Sequence, residues 1–270
     1  MRNISNLAFV HPKAQIGDNV TIEPFSTIYE NTEIGDGTWI GSNVTIFQGA
    51  RIGKNCKIFP GAVISAIPQD LKFKGEETTA IIGDNTVIRE CATINRGTVE
   101  KYKTEVGKNC LIMAYVHAAH DCIIGDNCII ANAVQLAGHV IIEDYALIGG
   151  ASAVHQFVRI GAHSMVGGGS LVRKDIPPYI RAAREPLCYV GVNTVGLRRR
   201  GFTNEQIFQI QEIYRVVFLS GLNQTRAAET VENSIAPSPE RDIILSFIRS
   251  SERGIVKSPN TLNNLNEDSD

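Results

Sequence analysis

A six-residue period dominates the first two-thirds of the chain. Counting by sixes from Ile4 meets Val10, Ile16, Ile22, Ile28, Ile34, Ile40, Ile46, Ile52, Ile58 and Ile64 without interruption. The count lapses, returns in phase at Ile82, Ile88, Ile94, Val106 and Ile112, and then runs from Ile124 to Val172, with the small Ala118 in between. Of the 29 positions in this frame, 25 are Ile, Val or Leu. Six residues advance about 600° at the α-helical pitch, so a helix would scatter these side chains. In a strand, residues i and i−2 share a face. The slot two before the frame is small or β-branched, as in Ala14, Ser26, Thr38, Ala62 and Ser152. Each unit therefore reads as a short strand plus a corner, with one large and one small side chain pointing inward. Repetition over such a length is a solenoid. Glycine often follows the frame residue, as at Gly17, Gly35, Gly53 and Gly125, where a corner is expected to use its permissive backbone.

Two lapses interrupt the frame, at 66–80 and 96–105. Pro68, Gly75 and charged residues stand there where the repeat demands aliphatics, so both segments read as projecting loops. The six cysteines include no C-x-x-C pair, and Cys56, Cys110, Cys122 and Cys128 occupy the small slot, which makes them core fillers. With 26 basic and 28 acidic residues among 270, the composition argues against a nucleic-acid-coating surface. The N-terminus lacks an apolar signal core and no run of apolar residues is long enough to span a membrane, so a cytoplasmic protein without an integral membrane segment is expected.

Beyond about residue 186 the pattern turns helical. Thr203 and Gln206 fit a capping box, followed by Ile207, Ile210, Tyr214, Val217 and Gly221 at helical spacing. Ala227, Val231 and Ile235 share a second face, and Ser238-Pro239 opens a third helix. The expected organisation is a β-solenoid over 1–185, a helical domain over 186–257 and a polar tail over 258–270.

The segment YVHAAHDC (115–122) sets two histidines and an aspartate in an aliphatic surrounding. If one turn takes three units, His120, His139 and His155 fall in nearly the same angular sector on successive coils, about 4.8 Å apart, with His117 half a unit away. A histidine can take a proton from a hydroxyl near neutral pH, and a neighbouring carboxylate can hold its tautomer. That pair suits acyl transfer to an alcohol. Three imidazoles also suit zinc, as in β-helical carbonic anhydrases, and a non-catalytic solenoid platform is a further alternative.

YVHAAHDC, LAGHV, AVHQF, QDLKF, NRGTV, GAHSMVGGGS and GVNTVGLRRRGF are similar to the signatures of the UDP-N-acetylglucosamine acyltransferase family. The resemblance spans nearly the whole chain. It implies a left-handed parallel β-helix followed by a small α-helical domain, and a homotrimer with active sites between neighbouring prisms. It also implies transfer of an (R)-3-hydroxyacyl group from acyl carrier protein to the 3-hydroxyl of UDP-N-acetylglucosamine, without a cofactor or metal. Carried over by position, His120 is the general base, Asp121 its support and the Gly138 N–H the oxyanion donor. His117, His139, His155 and Gln156 line the sugar and acyl site, Asp70 and Lys72 contact the sugar nucleotide, and Asn193, Arg199 and Arg200 bind its UDP part. Gly168 stands where the family sets acyl length and implies a long chain. Val195 departs from the glutamate often found there. N-acyl transfer to a sugar nucleotide, the activity of a neighbouring family, is the enzymatic alternative. Arg173, Lys174, Arg181 and Arg184, with Arg198–Arg200, form a basic set suited to an acidic carrier protein.

Overall fold

The structure is a computed structural model and describes residues 2–258. Its strands are mostly two residues long and pair in parallel along three faces. Face one has eleven strands, starting at Asn3–Ile4, face two has nine, starting at Phe9–Val10, and face three has eight, starting at Gln15–Ile16. Partners such as Ile40 and Ile58, or Ile130 and Ile148, lie 18 positions apart, so three units make one turn. Ile22, Ile40, Ile58, Ile88, Ile112 and Ile130 stack down the axis of face one with at most 1% exposure. Each such side chain contributes about 1.5–3 kcal/mol by leaving water.

The two lapses have a simple geometry. Ile64 pairs with Ile94, 30 positions on, and Ile94 with Ala118, 24 positions on. The insertions are thus twelve and six residues, whole multiples of the repeat, which is why the frame returns in phase. Both leave the prism at the corner between faces two and three, after Val63–Ala66 and Thr93–Asn95.

The glycines that follow the frame serve a different purpose from the one expected. Positive φ occurs two residues later, in a column of Asn19, Gly37, Asn55, Asn85, Asn109 and Asn127. Asn and Gly tolerate that left-handed region best. Gly35 instead faces the next coil: a Cβ there would lie 2.6 Å from the Gly53 carbonyl carbon. Close stacking of coils, not backbone freedom, excludes a side chain.

The small slot is largely buried as expected, and its polar members bond to the same corner of the next coil. Ser26 Oγ donates to the Gly41 carbonyl at 2.6 Å and Thr38 Oγ1 to that of Gly53 at 2.9 Å. All six cysteines are free, and five are buried. Burial pushes the Cys122 thiol up to about 12, consistent with an inert filler.

Face one ends in an antiparallel hairpin of Ile180–Ala183 and Cys188–Val192, so β-structure crosses the expected boundary at 185/186. Four helices follow: α1 (Thr194–Arg199), α2 (Asn204–Leu219), α3 (Gln224–Ser234) and α4 (Pro239–Arg249). The capping box at Thr203 and Gln206 is present, and Asn223 and Ser238 cap α3 and α4. Helix α2 stops short of Gly221, whose φ of 75° ends the helical spacing read there. Tyr214, fully buried, donates to the Pro178 carbonyl at 2.6 Å and ties α2 to the end of the prism. No helix among the described residues is long and apolar enough to cross a membrane. The polar tail expected at 258–270 lies, apart from Ser258, outside the described residues.

Candidate active site

The corner between faces two and three carries the histidines. Coil equivalence is now fixed by register, since His117 pairs with Gln135 and that residue with Ala153. His120, Gly138 and Gln156 therefore form one column, and Asp121, His139 and Phe157 the next. The second column holds the corner's positive-φ slot, with φ of 59°, 63° and 64°. Bulky side chains in that region are strained, and such strain collects at functional sites.

His120 and Asp121 form the centre. His120 Nδ1 lies 2.8 Å from Asp121 Oδ2, and the carboxylate is fully buried. Thr98 N donates to Oδ1 at 3.0 Å and Thr98 Oγ1 to Oδ2 at 2.6 Å. Burial alone would raise the Asp121 pKa, but the hydrogen bonds from Thr98 and His120 outweigh it and hold the carboxyl below its usual range. His139 stands edge-on to His120 with ring centroids 5.1 Å apart, and it stacks on Phe157 at 4.5 Å. Burial lowers its pKa more than the Asp121 and Glu100 carboxylates raise it. His117, bonded through Nδ1 to Thr93 Oγ1 at 2.7 Å, is likewise lowered, first by burial and then by His120. Neutral imidazoles thus flank the pair.

Gly138 has a steric reason to be glycine. A Cβ there would lie 2.7 Å from His120 Cε1 and 2.8 Å from Nε2. The imidazole rests against the Gly138 backbone, whose N–H donates to no backbone group among the described residues. His120, Asp121 and His139 offer ligand atoms within 4.8 Å of one another, but a metal there would displace hydrogen bonds that already occupy Asp121 and His120 Nδ1. His155 does not join them: its ring is exposed, with Nδ1 3.1 Å from the Gln156 carbonyl. The strip of three imidazoles reduces to a cluster of two plus the half-buried His117.

The remaining expected residues are spread over the prism. Asp70 and Lys72 lie on the first loop at this same corner, where Asp70 Oδ1 accepts from Lys72 N at 2.9 Å and shapes the turn. Asn193, Arg199 and Arg200 lie elsewhere, at the corner between faces three and one. Asn193 is largely committed to structure, since it accepts from Gly196 N and donates to the His163 carbonyl at 2.9 Å. Arg200 reaches His163 Nδ1 at 3.4 Å and sits over the Tyr145 ring at 5.2 Å, while Arg199 is exposed. Gly168 is exposed at the third corner, beside Gly150 of the previous coil.

Sequence reasoning did not single out Thr98 and His163, which the fold sets against Asp121 and Arg200. His163 stacks with Tyr145 at 4.8 Å and Tyr179 at 5.7 Å, and burial, with the Arg200 charge, pushes it down to about 4. The signal was present: Tyr145 and His163 replace Asn in a column that is Asn or Gly up to Asn127.

A model of bacterial transferase hexapeptides matches residues 13–48, 31–66 and 103–138, and the second domain of UDP-N-acetylglucosamine O-acyltransferases matches residues 175–256. The acyl-[acyl-carrier-protein]--UDP-N-acetylglucosamine O-acyltransferase of Chlorobium phaeobacteroides is 61% identical over 255 residues, 94% of this chain and 97% of that one. The chain belongs to this acyltransferase family. The relative from Chlorobaculum tepidum is 59% identical over 251 residues, 93% of this chain and 95% of that one. The crystal structure of the UDP-N-acetylglucosamine acyltransferase from Bacteroides fragilis superposes with a TM-score of 0.92 at 54% identity, covering 94% of this chain and 99% of that one. The fold is the family's left-handed parallel β-helix with a small helical domain at its C-terminal end.

Proposed function

We propose that this chain is a cytoplasmic enzyme that moves an (R)-3-hydroxyacyl group from acyl carrier protein to the 3-hydroxyl of UDP-N-acetylglucosamine. Family membership supports the substrates. The observation that carries the mechanism is the His120–Asp121 pair with the imidazole resting on Gly138. Ionised Asp121 accepts a hydrogen bond from His120 Nδ1–H, which leaves Nε2 unprotonated as the base. Nε2 takes the proton of the sugar hydroxyl as its oxygen attacks the thioester carbonyl. The Gly138 N–H donates to the oxyanion that forms, the kind of preorganised donor that is often worth two or three powers of ten in rate. Collapse breaks the C–S bond, and the proton held by His120 passes to the departing thiolate. The thioester is already activated, so this sequence uses only the chain's own groups.

The working site is proposed to include a second copy of the chain in a homotrimer. The base stands at one corner while the UDP-binding candidates Arg199 and Arg200 stand at another, and Leu71 at the tip of the first loop is fully exposed, 106% of its reference area. A neighbouring prism would bring both sets to one cleft and cover Leu71.

The test is a product assay by mass spectrometry with UDP-N-acetylglucosamine and acyl-carrier thioesters of graded length. A single 3-O-acylated product is expected, with long chains preferred because Gly168 leaves its corner open. His120→Ala should lose activity by at least about a hundredfold with an unchanged melting curve. Product formed at the wild-type rate by that variant, or none by the wild type, would overturn the reading.

A further inference from the structure

The second loop packs against the His120–Asp121 pair. Its first residues fold back over Asp121, which lies in a coil 23 positions further on than Thr98. Thr98 binds both carboxylate oxygens, and Thr104 Oγ1 accepts from the Asp121 N–H at 2.8 Å. Lys101 Nζ donates to the Asp121 carbonyl at 3.2 Å. Every polar atom of Asp121 is thereby held by residues 98–104; outside that segment the carboxylate meets His120 Nδ1 at 2.8 Å and, further off, His139 Nε2 at 3.7 Å. A buried carboxylate stripped of donors is driven towards its neutral form, which could not orient an imidazole.

We propose that Thr98 is a positioning residue for acyl transfer: its backbone N–H and hydroxyl hold the Asp121 carboxylate ionised and aimed at His120, and so govern how readily the His120–Asp121 pair takes up a proton. This rests on the proposed role of His120 as the base.

The direction of the effect follows from charge. With His120 neutral the pair carries one negative charge, and with a proton added it carries none. A hydroxyl donating to Asp121 Oδ2 stabilises the charged form more, whichever atom would hold the added proton. Removing the hydroxyl makes the pair protonate at higher pH, which withdraws the base. The other groups facing the pair do not produce that change. Burial lowers the pKa of His117 and His139, and Cys122 is pushed up to about 12. Glu100 and Lys101 face it from the loop, at 3.6 Å from His139 Nε2 and 3.2 Å from the Asp121 carbonyl.

The test compares Thr98→Val, Thr98→Ala and Thr98→Ser in full pH profiles of kcat and KM. Val and Ala should lower kcat near neutrality about tenfold, the loss of one charge-assisted hydrogen bond. The acid limb of kcat/KM should move up by about one pH unit, with KM for the sugar nucleotide unchanged because Thr98 is assigned no contact with it. Ser, which keeps the hydroxyl, should restore both the rate and the limb. Wild-type kcat and an unmoved limb in Val and Ala overturn the proposal, as does a Ser variant as impaired as Val. Failure of Val and Ala to fold while Ser folds assigns Thr98 to folding alone and also overturns it. His120→Ala is run alongside. If that variant stays active, the base assignment falls and takes the proposal with it; if it is dead while Thr98→Val is normal, the proposal alone falls.

Discussion

Two residues show how single side chains are dictated by the neighbouring coil. Gly138 is forced by His120, because a methyl group would occupy space already held by imidazole atoms at 2.7 and 2.8 Å. Gly138→Ala should push the ring aside and lower kcat about a hundredfold, since a displacement of about 1 Å is enough for that loss. Its thermal midpoint should stay near wild type, which calorimetry can check. His163 responds to pH through stability. Its pKa is about 4 in the fold against the usual 6.5, so the unfolded chain takes up the proton first as pH falls. Its contribution is full above 6.5 and is lost as pH falls from 6.5 towards 4. Urea midpoints measured across that window should fall more steeply for the wild type than for His163→Gln. Asp121, whose carboxyl is held below 3.8, gives up its own contribution only at still lower pH.

Strands, corners and loops behave as separable units because, apart from the closing hairpin of Ile180–Ala183 and Cys188–Val192, each strand bonds only to its equivalents one coil above and below. The second loop adds six residues, one whole repeat, so removing Gly97–Tyr102 should leave Ile94 and Val106 a normal six apart. We expect the shortened chain to keep its β-helical circular dichroism and to lose acyl transfer, because Thr98, Glu100 and Lys101 leave with the segment. Helices α2 to α4 were legible from caps and spacing, since a Ser, Thr or Asn cap acts locally on the next turn. Helix α1 was not: TVGLRR is six residues with no apolar stripe, and it is held by Asn193 reaching both Gly196 and the distant His163 carbonyl.

For the whole molecule, the decisive arrangement is the separation of base and nucleotide candidates onto different corners. If copies complete one another, His120→Ala and Arg200→Ala should each be inactive alone and regain activity when co-expressed, because a mixed assembly contains clefts with both native residues. Equilibrium sedimentation should then give three times the mass of the 29.4 kDa chain. Charge acts at the same scale. Arg173 and Lys174 are exposed near the end of the prism, with Lys174 Nζ anchored on the Arg253 carbonyl at 2.6 Å. Neutralising both should flatten the dependence of rate on salt and on carrier-protein concentration, as expected for electrostatic steering of an acidic partner.

The aliphatic frame determined the strand-and-corner unit and its inward face by itself, because every unit meets the same demand to bury one large and one small side chain, and a repeated demand is visible in one dimension; that three units close one turn is decided by the register. It also marked where the repeat breaks, and therefore where loops leave the prism. Which distant residues those loops would touch was decided only in three dimensions: Thr98 meets Asp121 through non-repeating contacts that no period encodes. The same holds for His155, which coil arithmetic set near His120 but which the register turns outward, because a shift of one position along a corner redirects a side chain completely.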